Sequence, residues 1–293
     1  SGSYDPNGSI IAYEWTQLSG TAVILSDEEA AITTFTSPNS NGSLTFKLSV
    51  FDNDFNEATD EVVITISSPI TIQDIQYTAE QGQYCYETPM AGETVTTSGV
   101  VAAVKPGDYP NFFLQQPGVN SWGGIYVYDT TIEPQLGDEI ILTATVGEYG
   151  SGTQLTDVSA FTTVSSGNPI NPITVTLANL GGYECNLSGE SYESMLIKVN
   201  NVTVDEVNEY GDWVISDGSG QVALVDDYLY DGEGGILPDP PSGSFSITGI
   251  INSYFDYKIE PRIPSDIDEG DCSAEIGDLN CDGSWNVLDI VAL

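Results

Sequence analysis

Apolar and polar residues alternate in short runs along most of the chain. In one such run, Leu44, Phe46, Leu48 and Val50 occupy every second position. Successive side chains of a β-strand point to opposite faces, so this alternation predicts a strand with one buried face. Similar runs rich in Val, Ile, Thr and Tyr recur between Gly, Asn, Asp and Pro, at the roughly 8–12-residue spacing that is typical of β-sandwiches and barrels. Helical periodicity is almost absent, and the pattern predicts an all-β chain.

Three polar, proline-containing seams divide this pattern. They lie at Ser68-Pro69, in the stretch 165–172 and in the stretch 261–270. Linkers between domains are typically polar and rich in Pro and Gly. We therefore expect four segments, which are 1–68, 69–167, 168–266 and 267–293.

The first segment resembles the polycystic-kidney-disease (PKD) type of immunoglobulin-like domain. Its five strand-like runs are Ile10–Trp15, Ala22–Leu25, Ala31–Phe35, Leu44–Val50 and Glu61–Ile66. The resemblance is carried by the motifs Tyr4-Asp5-Pro6-Asn7-Gly8, Tyr13-Glu14-Trp15, Phe35-Thr36-Ser37-Pro38 and Leu48-Ser49-Val50-Phe51-Asp52. It implies an immunoglobulin-like sandwich that acts as a non-catalytic spacer or adhesion module.

In the PKD-like family a first strand would precede Gly2. Either the sequence is a truncated record, or another chain supplies that strand. In the second case, the unpaired sheet edge would allow self-assembly by strand addition.

The second and third segments look like two copies of one design. Strand-like runs in 95–165 recur in the same order in 195–264, about 100 residues later. Five runs per copy predict small Greek-key barrels. These segments resemble the OB-fold domains found beside bacterial extracellular nucleases, through the motifs Gly99-Val100-Val101, Gly124-Ile125-Tyr126-Val127 and Gly137-Asp138. The predicted fold class is therefore an immunoglobulin-like sandwich followed by two tandem OB-like barrels and a short C-terminal loop–helix.

Aromatic side chains of the barrels are candidates for ligand stacking. OB barrels bind oligonucleotides or oligosaccharides on one face, where exposed rings stack on bases or sugars. We expect such a platform among Trp122, Tyr126, Tyr128 and Trp213, with Trp122 foremost because it adjoins two glycines in an expected loop. The alternative is that rings such as Tyr126 pack in the core or on strand faces, as large rings usually do.

The chain is strongly acidic and contains no histidine. It has 44 Asp plus Glu against 5 Lys plus Arg, and its formal net charge is −39. Such a charge repels nucleic acid and anionic lipid, so direct nucleic-acid binding is not expected and a glycan or protein ligand is favoured. The missing histidine excludes Ser-His and Cys-His nucleophile pairs and His-ligated zinc. Ca²⁺, which takes oxygen ligands, is the cation that the composition suits.

No catalytic motif is recognisable in the sequence. The chain has no P-loop, Rossmann fingerprint or nucleophile elbow. Carboxylate pairs such as Asp226-Asp227 and Asp205-Glu206 could cleave glycosides at the right separation, but in so acidic a chain we interpret them as solvated charges at strand ends. We therefore expect no enzymatic activity.

The C-terminal run Asp278–Asp289 has the spacing of an EF-hand-like calcium loop. With Asp278 as position 1, oxygen-bearing side chains stand at positions 1, 3, 5, 9 and 12, and glycine stands at position 6. Gly283 permits the sharp turn, and Ser284 offers its backbone carbonyl. The predicted Ca²⁺ ligands are Asp278, Asn280, Asp282, Ser284, Asn286 and Asp289. The alternative is an Asx-rich turn that caps a helix.

Asp rather than Glu at the last loop position matches dockerins, which residues 277–293 closely resemble. A dockerin has two loop–helix units, and the sequence contains one. In the family, loop positions 10 and 11 help to select the cohesin partner. Here they are Val287 and Leu288, an apolar pair instead of the Ser-Thr pair of many cellulosomal dockerins. The resemblance implies Ca²⁺ as a cofactor and a cohesin-like protein as a partner.

A second acidic cluster lies in the first segment. Asp52 and Asp54 flank Asn53, and Asp5 is expected to be near them in the folded sandwich. These three carboxylates are a second candidate metal site, because sandwich domains sometimes hold calcium between loops at one end. A solvated hairpin turn explains the same residues.

The pairing of the four cysteines stays open at this stage. Three pairings are available, and the sequence does not rank them securely. Cys272 and Cys281 flank the calcium loop and could pair, which would leave Cys85 with Cys185. Alternatively, Cys281 pairs with a cysteine beyond residue 293.

Together these features predict a secreted modular protein, located outside the cell or at its surface. Its expected role is non-catalytic binding, attachment or scaffolding, with a calcium-ordered C-terminal module. Two alternatives stay open, namely the accessory, substrate-binding region of an extracellular nuclease or other hydrolase, and a subunit of an extracellular fibre. The apolar runs have the length of strands, so no membrane insertion is expected.

Overall fold

The computed structural model describes residues 2–38, 42–66, 69–107, 111–129, 131–232 and 235–269. The chain divides into two compact units, residues 1–68 and 69–293. A three-stranded sheet in the first unit is followed by two five-stranded barrels in the second. The predicted all-β fold class is confirmed.

The sheet of the first unit is antiparallel and has the order β1-β2-β3. Its strands are β1 (Ile10–Ser19), β2 (Gly42–Asp52) and β3 (Glu57–Ile66). The alternation in β2 directs Leu44 and Phe46 inwards, where they are 1% and 2% exposed. The outer edges of β1 and β3 have no strand partner among the described residues of this unit, and self-assembly through an edge stays a prediction.

Two of the five strands that we expected in this unit do not form. The runs 22–25 and 31–35 contribute only a single β-bridge. The polar turn between them is held by side-chain-to-backbone hydrogen bonds, such as the one that the backbone N–H of Glu29 donates to Asp27 (2.9 Å). Bonds of this kind offer the backbone an alternative to a strand ladder.

The second unit begins with a closed barrel of order β4-β5-β6-β8-β7. In this barrel β6 and β8 are parallel, and the other neighbours are antiparallel. The short helix α1 (Ile72–Gln76) is capped by Thr71 and buries Ile72 and Ile75 in the barrel core. The strands are β4 (Thr94–Val104), β5 (Phe112–Gln115), β6 (Gly124–Val127), β7 (Glu139–Tyr149) and β8 (Gly152–Ser165).

The second barrel repeats this topology. Its order is β10-β11-β12-β14-β13, the pairing of β13 with β10 closes it, and β12 and β14 are parallel. Both barrels therefore have the five-stranded Greek-key form predicted for OB-like domains. The elements are β9 (Ile173–Val175), α2 (Leu177–Leu180), α3 (Leu187–Glu190), β10 (Leu196–Val207), β11 (Trp213–Ser216), β12 (Val222–Val225), β13 (Phe245–Tyr254), β14 (Asp256–Glu260), a 3-10 turn (Pro264–Asp266) and β15 (Ile267–Asp268).

A hydrophobic cluster joins the two barrels. On β5, Phe112 packs in the core of the first barrel, whereas Phe113 packs with Leu196, Leu229 and Ile250 of the second. Phe113 is fully buried. Since burial of a Phe side chain stabilises by roughly 2 kcal/mol, this contact favours a fixed arrangement of the two barrels.

Glycines of the first barrel allow the backbone of the second barrel to approach closely. A Cβ atom at Gly124 would lie 2.2 Å from the carbonyl carbon of Ser194, and one at Gly152 would lie 2.7 Å from the carbonyl oxygen of Ser253. Atoms cannot approach so closely, so only glycine fits at these two positions.

A disulfide between Cys85 and Cys185, which are 100 residues apart, also links the barrels. Cys85 precedes β4 in the chain, yet it is 1% exposed within the core cluster of the second barrel. The structure thus contains one of the pairings that the sequence left open. Cys272 and Cys281 lie outside the described residues.

Candidate functional site

A cleft with a volume of about 680 Å³ lies between the two barrels. Residues of β6, β8 and the adjoining turns line it from the first barrel, and residues of β13, β14 and the turn after β12 line it from the second. Its volume is in the range of small-molecule sites. We call it the inter-barrel cleft. The tyrosines that line it, within the described ranges, are Tyr126, Tyr128, Tyr149, Tyr228 and Tyr254.

Tyr126 and Tyr228 connect the two sides of the cleft. Their hydroxyl oxygens are 2.9 Å apart, and the Tyr126 ring lies 4.8 Å from the ring of Phe113. Burial raises the pKa of Tyr126 above its ordinary value, and the hydrogen bond with Tyr228 raises it further. The Tyr126 hydroxyl therefore stays protonated, and both rings are fixed in place.

Two hairpin tips, one from each barrel, form an aromatic rim. The rings of Tyr149 and Tyr254 are 5.9 Å apart, and the ring of Phe255 is 4.9 Å from that of Tyr254. These three side chains are 64%, 53% and 61% exposed, respectively. Phe255 has a φ of 67°, and its backbone N–H donates to the carbonyl of Gly150 in the other hairpin (2.6 Å). The exposed rings are thus held by backbone contacts between the barrels and offer surfaces for stacking.

The two lysines of the cleft differ in their partners. Lys258 Nζ lies 3.0 Å from Asp212 Oδ2 and 2.9 Å from Asp226 Oδ2. Partial burial alone would lower the pKa of Lys258, but these two carboxylates raise it to about 12. Lys105 Nζ instead lies 4.2 Å from the centre of the Tyr228 ring.

Two buried acceptor atoms of the cleft have no hydrogen-bond partner in the described structure. They are Oδ1 of Asn111 and Oε2 of Glu193, whose residues are 3% and 2% exposed. Burial raises the pKa of Glu193 well above its ordinary value, and the neighbouring Glu190 and Glu148 carboxylates raise it further. Unpartnered buried polar atoms cost free energy, and hydrogen-bonding groups of a bound ligand would remove that cost.

The predicted stacking residues fall in three different environments. Tyr126 and Tyr128 line the cleft, and Tyr128 is 53% exposed. Trp122 is half-buried outside the cleft lining, where its ring lies 5.3 Å from that of Tyr77 and its backbone N–H donates to Ser191 (2.6 Å).

The prediction of Trp213 as a stacking platform is wrong. This side chain is 1% exposed and packs edge-on against Phe245 in the core of the second barrel. The alternation along β11 directs it inwards, so it offers no face to a ligand.

Sequence reasoning missed Tyr149 and Tyr254 as ligand candidates. Each ends the fourth strand of its barrel, so the repeat places them at equivalent positions. A tyrosine conserved between the two internal copies at a hairpin tip, where burial is not required, was the available signal. The meeting of the two tips depends on how the barrels pack, which the sequence pattern does not report.

The second candidate metal site is not formed. Asp52 accepts hydrogen bonds from the backbone N–H groups of Asp54 and Asn56 (both 2.8 Å), and these bonds belong to the hairpin turn. Asp5 accepts from the backbone N–H of Asn7 (3.1 Å). Within the described ranges, no group of three or more His, Cys, Asp or Glu residues is placed to hold a metal ion. The turn interpretation therefore accounts for Asp52 and Asp54.

The predicted calcium loop lies outside the described residues. This applies to all six candidate ligands and to the Val287-Leu288 pair. Calcium binding by this loop stays a prediction from its spacing.

Comparison with known proteins gives one family match. Residues 1–66 match the family model described as K319L-like, PKD domain. No curated protein matches the chain. The match supports the PKD-like resemblance of residues 1–66 and suggests that this part of the chain is a binding or extracellular module. Among the helices of the described residues, none has the length and apolar character needed to cross a membrane.

Proposed function

We propose that this chain is a non-catalytic extracellular binding or attachment protein whose tandem barrels hold a glycan in the inter-barrel cleft. The observation that carries the proposal is the composition of the cleft. Five tyrosines of the described barrels surround a space of about 680 Å³, and the two buried side-chain oxygens without partners, on Asn111 and Glu193, lie in its walls.

The chemistry of the cleft suits a sugar better than a nucleic acid. Aromatic faces stack on pyranose rings, and buried polar atoms beside them require hydrogen-bond partners, which sugar hydroxyls supply because they both donate and accept. Nucleic-acid sites need a stripe of cations along the phosphates. Among the described residues that line the cleft, the cations are Lys105 and Lys258, and Lys258 is already paired with two carboxylates.

A glycan array followed by calorimetric titration tests this proposal. We expect the full chain to bind a subset of oligosaccharides, and Tyr254→Ala to weaken that binding about tenfold, the scale of one lost stacking contact. The matched control is Tyr210→Ala, because Tyr210 is 81% exposed and does not line the cleft. Equal affinities for the parent chain and Tyr254→Ala, or no glycan binding at all, would contradict the proposal.

The proposal includes a C-terminal module that is ordered by Ca²⁺ and contacts a cohesin-like protein partner. Its support is the ligand spacing from Asp278 to Asp289 and the apolar pair Val287-Leu288. If Ca²⁺ binds only the folded loop, it stabilises that loop by RT ln(1 + [L]/Kd), where [L] is the free Ca²⁺ concentration. This is about 2.7 kcal/mol when [L] is 100 times Kd. We expect millimolar Ca²⁺ to raise the melting temperature of a C-terminal transition relative to EDTA, and Asp278→Ala/Asp282→Ala to remove the rise. Identical melting curves in Ca²⁺ and EDTA would refute the module.

The OB-like topology of both barrels favours a second candidate, the accessory region of an extracellular nuclease. In this case the cleft tyrosines would stack on the bases of a single strand. The two candidates differ in their response to salt, because binding to phosphates weakens steeply with ionic strength and binding to a neutral sugar does not. Binding of single-stranded DNA at low ionic strength without Ca²⁺ would favour this second candidate.

A further inference from the structure

We infer that the glycan held in the inter-barrel cleft carries a single carboxylate, as a uronic acid does, and that Lys105 binds this group while the Asn111 side chain accepts from a neighbouring sugar hydroxyl. The inference rests on the proposed function and specifies its ligand class.

Lys105 differs from the other cations of the barrel unit. Lys198 pairs with Asp268 (3.5 Å), Lys258 pairs with two carboxylates, and Arg262 pairs with Asp266 (2.8 Å). Among the described residues, no carboxylate lies within 4.0 Å of Lys105. In a chain with 44 acidic residues and 5 basic ones, a half-buried ammonium group without a carboxylate partner among the described residues is suited to bind an anion from outside.

The surroundings of Lys105 leave its donors available. The Tyr228 ring, 4.2 Å from Nζ, provides a cation–π contact on one side. This contact positions the ammonium group in the cleft and uses none of its three N–H groups in a conventional hydrogen bond. A carboxylate that reached these N–H groups would form charge-assisted hydrogen bonds, which are the stronger kind.

Asn111 places an acceptor next to this cation. The backbone N–H of Lys105 donates to the backbone carbonyl of Asn111 (2.7 Å), so the two residues are neighbours across the β4–β5 pair. The side-chain Oδ1 of Asn111 has no partner, and the residue is 3% exposed. A uronic acid presents a carboxylate and an adjacent hydroxyl donor on one ring. A cation beside an unpartnered acceptor matches that pair of groups.

The remaining charges of the cleft limit the ligand to low charge density. Asp226 and Asp256 also line the cleft, and the chain has a net charge of −39. A polyuronate would bring a charge on every sugar into this field and would be repelled. An otherwise neutral oligosaccharide with one acidic sugar is repelled far less and gains the contact with Lys105.

Calorimetric titration with matched sugar pairs tests the inference. The probes are xylotetraose and its form bearing one 4-O-methylglucuronic acid, cellobiose and cellobiouronic acid, and, as a polyanion, an oligogalacturonate. We expect the full chain to bind the acidic member of a pair about tenfold more tightly than the neutral member, the scale of one added charge-assisted hydrogen bond. The oligogalacturonate is expected to bind more weakly than the singly charged form.

Two variants show whether Lys105 causes the preference. Lys105→Met is expected to remove it, so that this variant binds the acidic and neutral members with equal affinity. Lys47→Met makes the same change of charge at a lysine that does not line the cleft, and it is expected to keep the preference.

The outcomes separate this inference from the proposed function. If a neutral probe binds and its acidic partner binds no better, or if Lys105→Met keeps the preference, the inference is refuted and glycan binding stands. Tighter binding of the oligogalacturonate than of the singly charged form refutes the limit on charge. If none of these probes binds, the inference is refuted, and the glycan array decides separately whether the proposed function stands.

Discussion

The two barrels share one strand order, yet they present different surfaces where they meet. The first barrel contributes small residues that expose its backbone, namely Gly124 and Gly152. The second contributes the bulky side chains Leu196 and Ile250 to the shared apolar cluster. The same topology has thus diverged into two complementary halves of one interface.

The barrels also differ in the partners of their lysine side chains. In the second barrel, Lys198 and Lys258 pair with carboxylates. In the first barrel, Lys105 lies over a tyrosine contributed by the second. An OB-like fold alone therefore does not locate a ligand site, because the site that we propose lies between the two copies.

The largest expected effect comes from breaking the covalent link between the barrels. Cys85→Ser/Cys185→Ser is expected to lower the free energy of unfolding of the barrel unit by about 4 kcal/mol, as expected for a disulfide that closes a loop of this length. Urea denaturation measures this loss. Both chains in the comparison should carry Cys272→Ser/Cys281→Ser, so that no other thiol can form a replacement bond. A loss below about 1 kcal/mol would show that non-covalent contacts hold the two barrels together without the disulfide.

The buried carboxyl groups of the second barrel make stability depend on pH. Burial raises the pKa of Glu190 from 4.5 to about 7. Between these two values the folded state keeps a proton that the unfolded state has lost, so stability falls as pH rises through this window and levels off above it. We expect Glu190→Gln, whose amide oxygen still accepts from Tyr257, to reduce this fall by on the order of 3 kcal/mol between pH 4.5 and 8.

Urea denaturation at several pH values between 4.5 and 8 measures the pH effect. The control is Glu209→Gln at an exposed position, which is expected to follow the parent chain. An unchanged fall in the Glu190→Gln variant would mean that this carboxyl group is not protonated in the folded barrel.

A single methyl group at the interface is expected to have the next largest effect. Gly124→Ala places a Cβ against the backbone of Ser194, and we expect a loss of about 2 kcal/mol, since overpacked sites with rigid neighbours typically lose 1–3 kcal/mol. Gly147→Ala is the matched control in the same barrel, because its Cβ would meet nothing closer than 3.9 Å. Thermal unfolding compares the two, and equal melting temperatures would contradict the close approach of the barrels.

The smallest effect concerns the tyrosine pair that spans the cleft. Tyr126→Phe removes the hydrogen bond between the Tyr126 and Tyr228 hydroxyls and is expected to cost about 1 kcal/mol. Tyr128→Phe, at a side chain that is 53% exposed, should change stability by less than about 0.5 kcal/mol. Chemical denaturation measures both losses of stability. A larger loss in Tyr128→Phe than in Tyr126→Phe would show that the hydrogen bond between Tyr126 and Tyr228 does not stabilise the barrel unit.

Local patterns predicted the strands and the repeat, because both depend on neighbouring residues. The alternation in β2 correctly predicted that Leu44 and Phe46 are buried, and the duplicated runs correctly predicted two barrels of one topology. The prediction of strands at 22–25 and 31–35 was wrong, because side-chain-to-backbone hydrogen bonds in the polar turn between them replace a strand ladder.

The candidate site was much less predictable. Tyr126 and Tyr128 were identified as ligand candidates, but Trp213 has the same apolar aromatic character and is fully packed in a core. Only the direction of a side chain relative to its sheet separates the two cases. Residues that meet across the inter-barrel cleft, such as Tyr126 and Tyr228, are 102 residues apart in the sequence. Their contact follows from the packing of the two barrels, which the periodicity of the sequence does not report.

The central claim is that both barrels bind one ligand in the cleft between them. Hydrogen–deuterium exchange of the full chain, with and without the oligosaccharide that binds most tightly in the array, tests it most directly. We expect the ligand to slow exchange in the peptides around both hairpin tips, at Tyr149 in the first barrel and at Tyr254 in the second. Protection confined to one barrel, or to the unit of residues 1–68, would contradict the account.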